Sequence, residues 1–206
     1  MARITSIEIA GPGAPWAMLG LDVSDDRTAI GGVALGFGAG TGVETGIVAL
    51  GCDVVETPIL VDGIRFVSRP EPDRTPTHPC GATSIDHVVV MTSSLERTSE
   101  AIAEEFGSPL LRVRDAGRGV RQGFHRLGEV IVEIVESPQD RSDVASVWGL
   151  VFVVPDLEDW ASSLGPDVTS PPKVAVQQGR SISTVRSSVG LGTAVAVMSP
   201  HVRPTD

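Results

Sequence analysis

Glu133 stands inside the run Val130-Ile131-Val132-Glu133-Ile134-Val135, where every neighbour is aliphatic. A carboxylate in such a strand is costly to bury unless it is paired with a cation, hydrogen-bonded or bound to a metal. Arg126 and Arg186 are the cations that the sequence offers it, and an exposed sheet edge is the remaining option. His87 occupies a second run of this kind, Ile85-Asp86-His87-Val88-Val89-Val90. A lone strand histidine is ordinarily a hydrogen-bonded structural residue, but imidazole is also the side chain suited to proton transfer and metal ligation. Other chemistries have little to work with. There is no Tyr to act as a phenolic acid, and Lys173 alone could form a Schiff base. Cys52 and Cys80 lack any metal or redox spacing, as expected of a reduced, cytoplasmic protein.

The elements that must position these groups belong to a chain of 206 residues, enough for one domain or two small ones with a real core. The net charge of −10 disfavours nucleic-acid binding, which needs a basic footprint. No apolar run approaches the roughly 18–20 residues of a membrane span, and the first residues, MARITSIEIAGPG, lack a signal pattern, so neither membrane nor export is expected. The preference for Arg over Lys fits a GC-rich bacterial genome.

Residues 69–82, RPEPDRTPTHPCGA, read as a linker. They divide an N-terminal part, 1–68, from a C-terminal part, 83–200, and residues 201–206 read as a tail. The C-terminal part begins with a β-branched strand, Ser84–Met91. A helix follows from Leu95 to Phe106, capped by Ser93 or Ser94 and stopped by Gly107. Leu110–Arg114, Val120–Leu127 and Val130–Glu136 read as strands. The order then recurs: strand Val147–Val154, helix Asp156–Leu164, and strands Lys173–Val176, Ile182–Ser187 and Thr193–Met198. A shift of 62 residues superposes Val89 on Val151, Gly117-Arg118 on Gly179-Arg180, Gly128 on Gly190 and Ser137-Pro138 on Ser199-Pro200. Two tandem modules, 83–138 and 146–200, follow from this register. In the N-terminal part, strands at Ile4–Ala10, Thr28–Gly38, Gly46–Leu50 and Ile64–Ser68, with a short helix at Ala14–Leu21, suggest a third, degenerate copy. The stretch GGVALGFGAGTGVETG lacks the ending of a phosphate loop and reads as strand turns and a bulge.

Tandem βαβββ units opening on an Asp-His-Val-x-Val strand resemble the glyoxalase-like, or vicinal oxygen chelate, superfamily. The resemblance is carried by IDHVVVMTSSLERT, RQGFHRLGEVIVEIVESP and VWGLVFVVPDLED, and covers roughly 83–200. It implies an α+β fold in which curved mixed sheets form an open cleft, here with a degenerate N-terminal βαβββ-like unit added. It also implies a divalent metal (Zn, Ni, Mn, Co or Fe) in that cleft, with His87 and Glu133 at the first-strand and last-strand ligand positions. By the same repeat, Gly149 and Val195 stand where the other two ligands belong. The third ligand would then be His125, if a three-residue hairpin loop turned it to the side of Glu133. A two-residue turn at Gly128-Glu129 would send it to the other face. His78 from the linker, or Glu8 or Glu44 from the N-terminal part, are further sources, and with none of them the site is metal-free.

Cleft residues expected to meet a ligand are Gln122 and Phe124 on one strand face, Trp148 as an apolar wall unless it packs in the core with Trp160, and Arg186 as a carboxylate clamp unless it forms a surface pair. Two functions follow from the resemblance. One is a metal-assisted lyase or isomerase acting on a small carbonyl or carboxylate metabolite, with Glu133 moving the proton. The other is a metal-free protein that binds or sequesters a small aromatic or anionic molecule. An odd third copy also suggests a homodimer.

Overall fold

The computed structural model describes residues 1–40 and 45–201. Glu44 falls outside the described residues, and so does part of the Gly-rich stretch.

Residues 1–68 form a six-stranded sheet from β1 (Ile4–Ile9), a one-turn helix α1 (Ala14–Ala17), β2 (Arg27–Ile30), β3 (Val33–Phe37), β4 (Ile47–Cys52), β5 (Ile59–Val61) and β6 (Ile64–Ser68). The strand expected over 28–38 is a hairpin, because Gly31 and Gly32 both take positive φ and turn the chain between β2 and β3. The spatial order is β2-β3-β1-β4-β6-β5. Here β3 runs parallel to β1, β6 runs parallel to β4, and β1 and β4 meet antiparallel. The expected βαβββ-like unit is therefore a sheet of two shortened halves facing each other. The odd copy that suggested a homodimer finds its counterpart inside the chain.

The second sheet has eight strands. Its first module is β7 (Ser84–Thr92), α2 (Leu95–Phe106), β8 (Arg112–Gly117), β9 (Val120–Leu127) and β10 (Val130–Glu136). Its second is β11 (Ser146–Val153), α3 (Leu157–Leu164), β12 (Lys173–Val174), β13 (Ser181–Thr184) and β14 (Ala194–Met198). The order is β12-β13-β14-β11-β7-β10-β9-β8, so the two modules join through the antiparallel pair β7 and β11. Within each module the last strand runs parallel to the first. The helix α2 starts where Ser94 accepts a hydrogen bond from the amide of Arg97, and ends at Gly107 in the left-handed region.

Strand alternation gives this sheet two faces. Val88 and Val90 of β7, Val132 and Ile134 of β10, and Leu150, Phe152, Val195 and Val197 of the second module pack under the helices. The first sheet feeds the same core. Phe66 of β6 packs on Phe106 of α2, with ring centroids 4.6 Å apart. The indole of Trp16 donates to the carbonyl of Leu191, and that of Trp160 to the carbonyl of Leu19. Asp62, at the β5–β6 turn, accepts hydrogen bonds from Arg97 and Thr98 of α2. No helix among the described residues is long and apolar enough to cross a membrane.

One continuous core predicts one unfolding transition. Phe66→Ala should cost about 3–5 kcal/mol and lower a single calorimetric transition for the whole chain. Separate transitions for the two sheets would contradict a shared core.

Candidate functional site

The open face of the eight-stranded sheet holds a polar line in the first module and an aliphatic patch in the second. Its origin is a β-bulge. Val151 pairs with His87 and Phe152 with Ile85, so Asp86 is an extra residue on β7. Ile85 and Val88 face the helices, while Asp86 and His87, though consecutive, both turn to the open side. His87 Nδ1 donates to Asp86 Oδ2 at 2.8 Å. Across the module boundary, Arg180 donates to Asp86 Oδ1 at 2.6 Å, and its Nε to the carbonyl of Ser199 at 2.7 Å. The Arg180 side chain is only 2% exposed, so this charge depends on its partner. Gln177 supplies it a further acceptor at 2.5 Å.

On its other side, His87 Nε2 lies 3.3 Å from Glu133 Oε2. The two side chains thus converge on one spot of the open face, within ion-pair distance of each other. Glu133 Oε1 accepts from Gln122 Nε2 at 2.6 Å, and the oxygen of Gln122 accepts from Arg114. The line thus runs Arg180, Asp86, His87, Glu133, Gln122, Arg114. Burial alone would raise the Asp86 carboxyl. The hydrogen bonds and charges of His87 and Arg180 outweigh it and hold the group at about 2.

The sequence expectations divide clearly against this geometry. His87, Glu133 and Gln122 come together. Phe124 lies beside them, paired in register with Glu133. The partner of Glu133 is neither Arg126 nor Arg186.

His125 is not in the site. The hairpin turn has two residues, Gly128-Glu129, with Leu127 paired to Val130, so His125 lies opposite Val132 on the helix face. There it is fully buried, accepting from Ser99 and donating to the carbonyl of Ser108. Burial pushes its pKa down, against the opposing pull of the Ser108 carbonyl.

Arg186 lies beyond the end of β13, exposed, and bonds the carbonyl of Pro166. Trp148 neither lines the cleft nor packs in the core. It is the extra residue of a second bulge, where Val147 pairs with Val90 and Gly149 with Val89, and is 58% exposed. His78 is buried between the Asp22 amide and the Ala29 carbonyl, and Glu8 bonds Ser6 and Arg69 on the first sheet. Asp86 and Arg180 were missed as functional residues. The repeat carried a signal for Asp86 alone, which it sets against Trp148, a residue of unlike chemistry; Arg180 falls on another arginine, Arg118.

Whether these residues suit a metal can be tested on the donors. His87 and Glu133 converge, with Nδ1 of the one bonded to Asp86 and Oε1 of the other to Gln122, and supply two donor side chains. Across the pseudo-two-fold, Gly149 has no room for a larger side chain, since a Cβ there would lie 2.5 Å from the Ala194 carbonyl oxygen. The counterpart of Glu133 is Ala196 rather than Val195. Glu133 pairs with Val89, and Ala196 with the equivalent Val151, while Val195 faces the helices. Among the described residues no three His, Cys, Asp or Glu side chains gather as a metal set. Protein-held zinc and iron sites need about three ligands, so the donor set does not fit one.

Beside this line lies a cleft of about 410 Å³ lined by Asp86, Leu111, Arg112, Phe124, Arg126, Glu129, Ile131 and Arg180, among others. That is within the size range of small-molecule sites.

No family model matches the sequence, and no curated protein does. Solved structures do match. A triple variant of 4-hydroxymandelate synthase from Streptomyces coelicolor is 18% identical, covers 98% of this chain and 94% of its own, and superposes with a TM-score of 0.67. Methylmalonyl-CoA epimerase from Mycobacterium tuberculosis is 15% identical over 59% of this chain and 90% of its own, with a TM-score of 0.49. A Streptomyces coelicolor epimerase variant in complex with 2-nitronate-propionyl-CoA is 17% identical over 61% and 99%, also at 0.49. The chain has the vicinal oxygen chelate, or glyoxalase-like, fold.

Removing the acid from this line should be felt as instability. Asp86→Asn leaves the Arg180 guanidinium buried without a counter-charge and should cost about 3–5 kcal/mol at neutral pH. Because the folded pKa lies below the ordinary 3.8, the stabilisation from Asp86 is present in full above that value and fades as pH falls through about 2. Denaturant titrations of both chains across this range check it, and equal stabilities at neutral pH would contradict the strut.

Proposed function

We propose that this chain binds a small aromatic or anionic molecule in the cleft of its eight-stranded sheet, without a protein-held metal ion. The observation that supports this reading most strongly is the closing of half the ligand set. Gly149 admits no donor side chain and Ala196 offers none, which leaves His87 and Glu133 as a two-residue set. A cleft with apolar walls and unspent arginines remains beside them.

A catalytic reading would use the polar line beside the cleft. It is favoured by the convergence of His87 and Glu133, which could pass a proton to or from a bound carbonyl or carboxylate compound as an isomerase or lyase requires. In that case Glu133→Gln, which preserves shape and removes the charge, abolishes turnover while leaving ligand affinity within about threefold. In the binding reading, no turnover exists to lose.

Metal content separates the proposal from the metal-assisted chemistry that the fold suggests. Wild-type protein and His87→Ala, purified without chelator, should carry the same substoichiometric amount of zinc, nickel, manganese, cobalt and iron. One equivalent in the wild type that disappears in His87→Ala would overturn the metal-free reading.

A further inference from the structure

The inference concerns the kind of molecule held, and it rests on the binding reading above. Three arginines stand on the open side of the first module. Arg112 and Arg114 are on β8, paired in register with Phe124 and Gln122, and Arg126 is on β9 two residues beyond Phe124. The chain carries ten excess negative charges, yet among the described residues none of these three guanidiniums has a carboxylate within 4.0 Å. Arg121, on the same strand but facing the helix, is held by both Glu96 and Glu136. Arg180 in the same cleft is already matched by Asp86.

Arg112, although exposed, is held over an aromatic ring, and Arg114 is partly buried. The Arg112 guanidinium sits 5.0 Å over the Phe124 ring. The Arg114 Nε is buried with no hydrogen-bond partner, although its other end reaches Gln122. Gathering like charges on one face without counter-ions costs Coulomb energy that a bound anion would recover.

The cleft itself selects among anions. Arg112 and Arg126 both line it, and Leu111, Phe124 and Ile131 give it an apolar wall. Glu129 and Asp86 line it as well, so a second negative charge on the ligand would face carboxylates. We propose that the ligand is a small monocarboxylic acid, its carboxylate held by Arg112 and Arg126 and its apolar body laid along Leu111, Phe124 and Ile131. Guanidinium forks match a carboxylate in shape as well as charge, which makes arginine the suitable anchor.

The experiment is ligand-observed NMR on the full chain at neutral pH, with a set of short aliphatic and aryl carboxylic acids, phenylacetate among them, each beside its neutral primary amide. The expected result is that acids bind in the cleft at least about tenfold more tightly than their amides. Arg112→Gln and Arg126→Gln should each remove that preference without weakening the amides, and Arg112→Lys should restore part of it. Acids and amides that bind alike, or an acid preference unmoved by either substitution, would overturn the carboxylate anchor and leave the binding reading intact. Absence of any binding sensitive to Phe124→Ala across the whole set would overturn both.

Discussion

Consecutive residues of a β-strand point to opposite faces, and the site depends on one local exception to that rule. The extra residue at Asp86 lets an acid and the next imidazole share the open side of the sheet. Everything else in the polar line follows from it. His87 is fixed in one orientation through Nδ1, so Nε2 is aimed at Glu133. Asp86 in turn is held from the second module by a buried arginine. The imidazole thus lies between two carboxylates of the first module, one of them braced by an arginine of the second, and no single strand could have built the arrangement.

The two modules share a backbone plan and differ in what they make of it. Each first strand carries a bulge at the matched position, Asp86 in one and Trp148 in the other. After the first bulge comes His87, and after the second comes Gly149, packed so closely on Ala194 that no side chain fits. Each last strand runs parallel to its first, but one presents Glu133 and the other Ala196. Val151, Ala175, Ile182, Ala196 and Met198 fill the second half with aliphatic contacts. A duplicated fold has therefore kept its geometry and divided its chemistry, with polar groups on one side of the pseudo-two-fold and packing on the other.

Most of the architecture of the second sheet was legible in the sequence, because hydrophobic period, capping serine and turn glycines all acted within a few residues of each other. The meeting of His87 with Glu133 was legible only through the family resemblance. The face of His125 turned on the length of one hairpin loop, which the sequence left open until Leu127 was seen to pair with Val130. Val195 was misplaced for a comparable reason. The span from Val151 to its partner Ala196 is one residue longer than that from Val89 to its partner Glu133, and in a period of two a single residue exchanges the faces. Asp86 and Arg180 could not be read from local pattern at all. A bulge leaves no compositional mark, and their contact spans 94 positions of the chain. The first sheet was the hardest, since its strands are short and buried on both faces, so alternation carried little information.

The central proposal is that His87, lying between Asp86 and Glu133, does not serve as half of a protein-held metal centre. Titrating the purified protein with the paramagnetic ion Co²⁺, while following the side-chain resonances of His87 and Glu133, tests that claim directly. The account predicts that both signals persist unbroadened at one equivalent of cobalt. Loss of those two signals together, ahead of surface carboxylates and reversed by chelator, would contradict it.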